Sequence, residues 1–421
     1  MAFDPLPDAQ SAKAAGLNPE RLARIGPFLE ARYLAPGRLK GCLTLVWRRG
    51  RLAYFSAQGQ MDAERGRPMR ADTLFRIYSM TKPLTCLAFM MLVEEGRVAL
   101  DEPVSRYIPA WADLQVYDGG ELGGFRTRPP AQPMQIVDLL RHTSGLTYGF
   151  HQQNAVDAAY RALEVGEVAL SGTLEGLVQA LAGLPLLFSP GEAWNYSVST
   201  DVLGYLIGAI SGQPFEEFLH QRLTGPLGMA DTGFSVAEGQ GQRLAACYRL
   251  EAADRVTLQD DPATSAYLAA PAFASGGGGL ISTAADYLSF CRLLLGRGAL
   301  DGVRYVSPKT LDLMAANHLP GGADLAGCAA RSQFSEASYA GVGFGLGLAT
   351  TIAPPTTLIP GSAGDLFWGG MASTYFWVDP AEDLAVVFMT QLIPSSAYAV
   401  RRELRTLVYA AIEETGASRG G

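Results

Sequence analysis

The two ends of this chain carry the same local pattern, and that likeness limits what 421 residues can fold into. Within residues 22–33, Leu22, Ile25, Phe28 and Leu29 are spaced as one face of a helix. Two β-rich runs follow, 42–47 and 51–56, around Arg49-Gly50, which reads as a hairpin. Near the other end, the aromatic and β-branched run 374–378 meets the apolar run 384–389 across an Asp379-Pro380 turn. A final helical segment spans 400–413. The middle differs, because from Thr81 to about Ser211 the clear periods are helical. Leu84, Leu87, Ala88, Met91 and Leu92 form an amphipathic stripe that Gly96 stops. Val202, Leu206, Ala209 and Ile210 form a second, with Ser199 as N-cap and Gly212 as stop. The simplest fold is α/β (α+β). An antiparallel sheet flanked by helices is built from 1–85 and 265–421. A mostly helical domain comes from 86–264, with the active site in the cleft between them.

A fold of that size needs apolar material, and 48% hydrophobic against 18% charged residues supplies it. The net charge of −8 repels phosphate backbones, so no nucleic-acid partner is expected. Cys42, Cys86, Cys247, Cys291 and Cys328 are odd in number and scattered without C-x-x-C. That is the usage of free thiols in a reducing compartment. His142, His151, His220 and His318 lack metal-ligand spacing, and neither a metal nor a cofactor is expected. The first eight residues carry acids where a signal peptide carries basic and apolar regions. No apolar run reaches about 18 residues. These features give the expectation of a cytoplasmic protein without a membrane partner. The glycines 276–279 suit close backbone approach to a neighbouring strand. Lacking a following Lys-Ser/Thr pair, they do not read as a phosphate cradle.

The chemistry gathers where the first strong helix begins, at Phe75-Arg-Ile-Tyr-Ser79-Met-Thr-Lys82-Pro83. Pro83 fits only near a helix start, which puts Ser79 at or just before the first turn. Ser79 and Lys82 then project to one face as i and i+3. The helix N-terminus offers free N–H groups and positive potential to an oxyanion at a substrate carbonyl. Apolar neighbours and the helix dipole disfavour the charged form of Lys82, as a base for the Ser79 hydroxyl requires. S-x-x-K is a short motif, and a serine N-cap followed by a surface lysine is the bland alternative.

Two distant segments add weight. In Pro190-Gly-Glu-Ala-Trp-Asn-Tyr196-Ser, a turn delivers Tyr196 just before a helix, where its hydroxyl can serve as second base or proton carrier. A half-buried packing aromatic is the alternative. In Asp365-Leu-Phe-Trp368-Gly369-Gly370-Met371, two glycines between β-rich runs call for close backbone contact. The Met371 N–H is a candidate second oxyanion donor, against the alternative of a β-bulge without a chemical role. His142 precedes Ser144-Gly145. It reads either as a partner of Ser144 or, preferably, as the end of a helix. The G-x-S-x-G elbow of the α/β-hydrolases is absent.

Together these segments resemble the serine β-lactamase/penicillin-recognising superfamily, and most closely the family VIII carboxylesterases, which look like class C β-lactamases. The carriers are Ser79-Met-Thr-Lys82, Leu92-Val-Glu-Glu-Gly-Arg-Val-Ala-Leu-Asp101, His142-Thr-Ser-Gly-Leu, Pro190 to Ser197, Pro226-Leu-Gly-Met229 and Gly277-Gly-Gly-Leu-Ile-Ser-Thr. The resemblance implies a β-lactamase/transpeptidase-like fold and an acyl-enzyme on Ser79, released by water. It makes Lys82 the base and Tyr196 the second base and proton shuttle. The N–H groups of Ser79 and Met371 become the oxyanion hole. Trp368, Gly369 and Gly370 stand where the lactamases have Lys-Thr-Gly and bind substrate. Two positions depart from class C: Val198 replaces an asparagine and Trp368 replaces a lysine. An apolar ring there favours a neutral ester over an anionic β-lactam. The reading is a carboxylesterase of small, short-chain esters with weak β-lactamase activity. Acyltransfer, D-amino-acid peptidase or amidase activity, and a non-catalytic binding protein are the alternatives, in that order.

Overall fold

The computed structural model describes residues 6–165, 172–329 and 339–415. Residues 1–5, part of the stretch read as lacking a leader, lie outside them. The first hairpin forms as its residues dictate. Strands β1 (Gly41–Arg48) and β2 (Arg51–Asp62) are joined by Arg49 and Gly50 at φ of 50° and 76°. That left-handed pair matches the twist of the flanking strands. Six more strands complete the main sheet: β3 (Arg67–Pro68), β4 (Val342–Phe344), β5 (Ala349–Thr351), β6 (Leu366–Gly369), β7 (Tyr375–Asp379) and β8 (Leu384–Met389). The order is β4-β5-β6-β7-β8-β1-β2-β3, antiparallel throughout. The two chain ends meet where β8 pairs β1, from Leu43 opposite Met389 to Arg48 opposite Leu384.

Both β7 and β8 are buried along their whole length, because helices cover both faces of the sheet. The alternation along β7 shows this directly. Phe376 meets Tyr287 of the helix Ala284–Leu295, with ring centroids 4.9 Å apart. Its neighbour Trp377 points the other way and stacks on Tyr409 of Val400–Tyr409. That terminal helix stops short of residue 413, and the N-terminal helical run is broken into Pro19–Leu22, Ile25–Leu29 and a π turn at Glu30–Leu34.

The middle of the chain supplies α1 (Thr81–Glu94) and α2 (Ser199–Ser211), which pack on each other. The stripe on α1 is only part of its burial. Every residue from Thr81 to Leu92 is buried, because Cys86, Phe89 and Met90 fill the side opposite the stripe. A helix apolar all round belongs inside a protein. At α2 the N-cap is Val198, one residue before the expected Ser199. Gly212 does close it, at φ 76°. The middle also carries strands: Cys247–Leu250 pairs Val256–Asp260, and Val116–Gly119 pairs Arg126–Arg128. All five cysteines are free. Among the described residues no helix is long and apolar enough to cross a membrane.

The segment entering α1 is clamped residue by residue. The Gln391 amide donates to the Arg76 carbonyl at 3.0 Å, and the Ile77 N–H donates to the Leu280 carbonyl at 3.0 Å. The Leu280 N–H donates to Thr81 Oγ1, and Tyr287 Oη donates to the Met80 carbonyl at 2.8 Å. Tyr287→Phe keeps the ring but removes the side-chain donor to that N-cap carbonyl. A loss of about 0.5–1.5 kcal/mol in unfolding free energy is expected. It should appear as a lower urea midpoint with an unchanged slope.

Candidate active site

Ser79 sits in the 3-10 turn Tyr78–Met80, which runs straight into α1. Pro83 lies in the first turn of that helix, as its missing N–H requires. Tyr78 holds φ at 43°, a conformation that costs a bulky residue about 1–3 kcal/mol. Packing against Cys247, Ala372 and Ile393 holds it there. Ser79 therefore stands at a forced bend, on the wall of a cleft of about 1230 Å³ that Tyr148, Tyr196, Trp368 and Met371 also line.

Lys82 is 1% exposed. Its Nζ donates to Ser79 Oγ at 3.3 Å, Tyr148 Oη at 3.0 Å and the Gly277 carbonyl at 2.7 Å. It also lies 4.5 Å from the centre of the Tyr196 ring and 5.3 Å from that of Tyr148. Sequence reasoning gave Lys82 apolar neighbours; the structure gives it three acceptors and two aromatic faces. Burial pushes the Tyr148 hydroxyl well above its ordinary range, with the Asp201 charge adding to the effect.

Tyr196 is buried among rings. Trp368 lies 5.5 Å away and its indole N–H points at Tyr196 Oη over 3.4 Å. Tyr148 and His142 lie 5.5 Å and 5.0 Å from it, centre to centre. His151 Nε2 donates to the Tyr196 carbonyl at 2.7 Å and holds the loop.

Gly369 ends β6, and Gly370 and Met371 follow it in the turn to β7. A Cβ on Gly370 would stand 2.2 Å from Thr374 Oγ1 and 2.4 Å from the Ile77 carbonyl. A Cβ on Gly369 would stand 2.7 Å from the Arg401 guanidinium. The two glycines thus let the turn press against the Ser79 segment on one side and Arg401 on the other. Arg401 donates to the carbonyls of Gly370 and Thr374 at 2.8 and 2.9 Å and fixes the turn. Among the described residues neither the Ser79 N–H nor the Met371 N–H has a hydrogen-bond partner. Two such donors on one cleft suit an oxyanion.

The glycine run approaches helices, not a strand. A Cβ at Gly276 would stand 2.6 Å from the Thr200 carbonyl, and one at Gly277 would stand 2.6 Å from Asp201 Oδ2 and 2.9 Å from Tyr148 Oη. The His142–Ser144 pairing does not form. Ser144 Oγ bonds Ser199 Oγ at 2.8 Å, and His142 Nδ1 faces Ser197 Oγ at 3.3 Å. His142 does end a helix, though well before Gly145: it follows the C-cap Arg141 of Ile136–Leu140 in the left-handed conformation, at φ 58°, and the Thr143 N–H donates back to the Asp138 carbonyl at 2.9 Å. Burial, then the Lys82 charge, lower the His142 pKa well below the ordinary value and keep the ring neutral. Sequence reasoning brought Ser79, Lys82, Tyr196, Trp368 and Met371 to one cleft. It missed Tyr148, six residues past His142, and Asp201, five past Tyr196. Gly370→Ala should leave a folded protein with ester turnover reduced about 100-fold, since a displacement near 1 Å at the reacting groups has that effect. Steady-state kinetics beside a wild-type-like near-ultraviolet dichroism spectrum checks it.

Comparison with known proteins gives the chain a family. The family model described as Beta-lactamase matches residues 29–411. An uncharacterized protein of Mycobacterium tuberculosis (strain CDC 1551 / Oshkosh) is 39% identical over 362 residues, 85% of this chain and 87% of that protein. Esterase EstB of Burkholderia gladioli is 34% identical over 403 residues, 90% of this chain and 94% of the esterase. Among solved structures, EstCE1, a hydrolase with promiscuous acyltransferase activity, superposes with a TM-score of 0.76 at 28% identity, over 94% of this chain and 99% of its own.

Proposed function

The chain belongs to the β-lactamase family, and from that premise we propose that Ser79 is the nucleophile of a carboxylesterase, with Lys82 as its proton acceptor. The protein is a serine hydrolase acting on small-molecule carboxylic esters. The observation that carries the residue assignment is the buried Lys82 Nζ at 3.3 Å from Ser79 Oγ. With Lys82 deprotonated to the neutral amine, Ser79 Oγ attacks the ester carbonyl carbon and its proton passes to Nζ, which becomes the ammonium. The N–H groups of Ser79 and Met371 receive the negative oxygen. Collapse breaks the bond to the alcohol, which leaves with a proton relayed through Tyr196. Water then attacks the acyl-Ser79 ester along the same route in reverse and releases the acid. Trp368, Gly369 and Gly370 bind the substrate. The buried indole at 368 supports a neutral, short-chain ester over an anionic β-lactam, which should react only weakly. We also propose the two-lobed division, 1–85 with 265–421 against 86–264, the cleft lying between them. The five free cysteines support a cytoplasmic setting.

Ser79→Ala and Lys82→Ala should each lower kcat/KM for 4-nitrophenyl acetate by several orders of magnitude, and the double variant should lose little more. Wild-type-like turnover in Lys82→Ala rules out the lysine as base. A fluorophosphonate should add its mass to Ser79; labelling elsewhere would overturn the nucleophile. With excess acceptor alcohol, free acid should remain the main product. A dominant transfer product would replace hydrolysis by acyltransfer. Trp368→Lys should raise the rate for an anionic acyl substrate relative to a neutral one, and an unchanged ratio would remove that argument.

A further inference from the structure

Lys82 touches one carbonyl, that of Gly277, and this peptide is held from its other side. The Gly277 N–H donates to Asp201 Oδ1 at 2.9 Å, and Ser275 Oγ donates to the same oxygen at 2.5 Å. Asp201 lies in the first turn of α2 and is 3% exposed. An acid there also suits the helix dipole, but its oxygens face the glycine run, not solvent. The missing side chain at Gly277 is what lets them close in, since a Cβ would stand between Asp201 Oδ2 and Tyr148 Oη.

We propose that Asp201 is the positioning residue of Lys82: it fixes the Gly277 peptide whose carbonyl takes the ammonium, and it supplies the buried negative charge that Lys82 faces. The proposal rests on the reading of Lys82 as the base for Ser79. A carboxylate, a peptide and an ammonium in line polarise one another, so the chain is stronger than its separate bonds. Tyr148 closes the loop by accepting from Lys82 beside the same carboxylate. Burial pushes the Asp201 carboxyl up, while the Lys82 charge and the Ser275 and Gly277 donors pull it back. Among the described residues the other ionisable groups that face Lys82 are Tyr148, Tyr196, His142 and Cys86, so Asp201 is the carboxylate of that set. In the class C pattern an asparagine stands where this chain has Val198. Here Asp201, acting through Gly277, and Tyr148 hold the lysine.

The sign of the effect is fixed by charge. A negative neighbour favours the protonated amine, so removing it lets Lys82 lose its proton at lower pH. Asp201→Asn keeps an oxygen for the Gly277 N–H and removes the charge. The chain has four lysines, so [13Cε]lysine labelling gives few signals, and Lys82→Arg identifies the one that matters. In Asp201→Asn the Lys82 titration midpoint, and with it the ascending limb of kcat/KM against pH, should move down by about one pH unit or more. Ser275→Ala, which removes one donor and lets the carboxyl take its proton more readily, should move both the same way by a smaller step. It carries the test if Asp201→Asn does not fold. A midpoint unchanged in folded variants overturns the assignment, because a purely structural acid would lower activity without moving it. A midpoint that moves while the rate limb stays leaves the Asp201 assignment standing and removes Lys82 as the base.

Discussion

The burial of one ammonium group organises this protein. Taking a charge out of water costs several kcal/mol even after the protein relaxes around it, unless partners replace the water. Lys82 gets those partners from segments far apart in the chain: Ser79 in its own turn, Tyr148 66 residues on and the Gly277 carbonyl 195 residues on. Each partner has to be in place for the others to be worth having. Lys82, the proposed base, therefore also ties together Ser79, Tyr148 and Gly277, which are far apart in the chain. Aromatic faces complete the shell where hydrogen bonds stop, with the Tyr196 ring 4.5 Å from the charge.

Strain collects around that tie. Tyr78, His142 and Ser373 all take positive φ without being glycine, at 43°, 58° and 67°. Tyr78 bends the chain into Ser79, His142 packs against Tyr196, and Ser373 turns the loop that carries Met371. Each conformation is costly alone and persists because packing allows no other. Where the fold needs still closer approach it uses glycine, at Gly277 between Asp201 and Tyr148 and at Gly370 against the Ile77 carbonyl. The strained residues and the forced glycines sit on the Ser79 turn itself and on the three segments that converge on it. The site is thus held by its surroundings more than by the preference of its own residues.

This explains what could be read in advance. Arg49-Gly50 announces its hairpin because turn chemistry is local, and Ser79 with Lys82 is legible because a helix start fixes i and i+3 on one face. Tyr196 and Trp368-Gly369-Gly370 were found because unusual residues mark them. Tyr148 carries no such mark. It reaches Lys82 through an irregular loop whose path is set by tertiary packing. Asp201 looks like an ordinary first-turn acid, and only the closeness of Gly277 shows where its oxygens go. The same blindness affected α1, where a stripe of Leu and Met read as amphipathic although Cys86, Phe89 and Met90 made the far side equally apolar. Ser199 fits an N-cap by type, yet its hydroxyl bonds Ser144 and Ser197 instead.

The aromatic wall opposite Ser79 follows from the same electrostatics. Tyr148 stacks on Phe150 at 4.6 Å, and Trp368 bridges Tyr196 and Phe344 at 5.5 and 5.3 Å. Trp368 is 7% exposed and its indole N–H is directed at Tyr196 Oη. A lysine at that position would put a second ammonium against a tyrosine that already lies beside Lys82. It would have to draw on a buried carboxylate, and in this cluster that carboxylate, Asp201, already faces Lys82. Arg401, the cation beside Gly369, directs Nη2 at both the Gly370 and Thr374 carbonyls and so holds the turn. An indole avoids the conflict, keeps Tyr196 oriented and dries the wall. In the proposed reaction one buried cation then suffices, and an uncharged acyl chain is the group proposed to lie on such a wall.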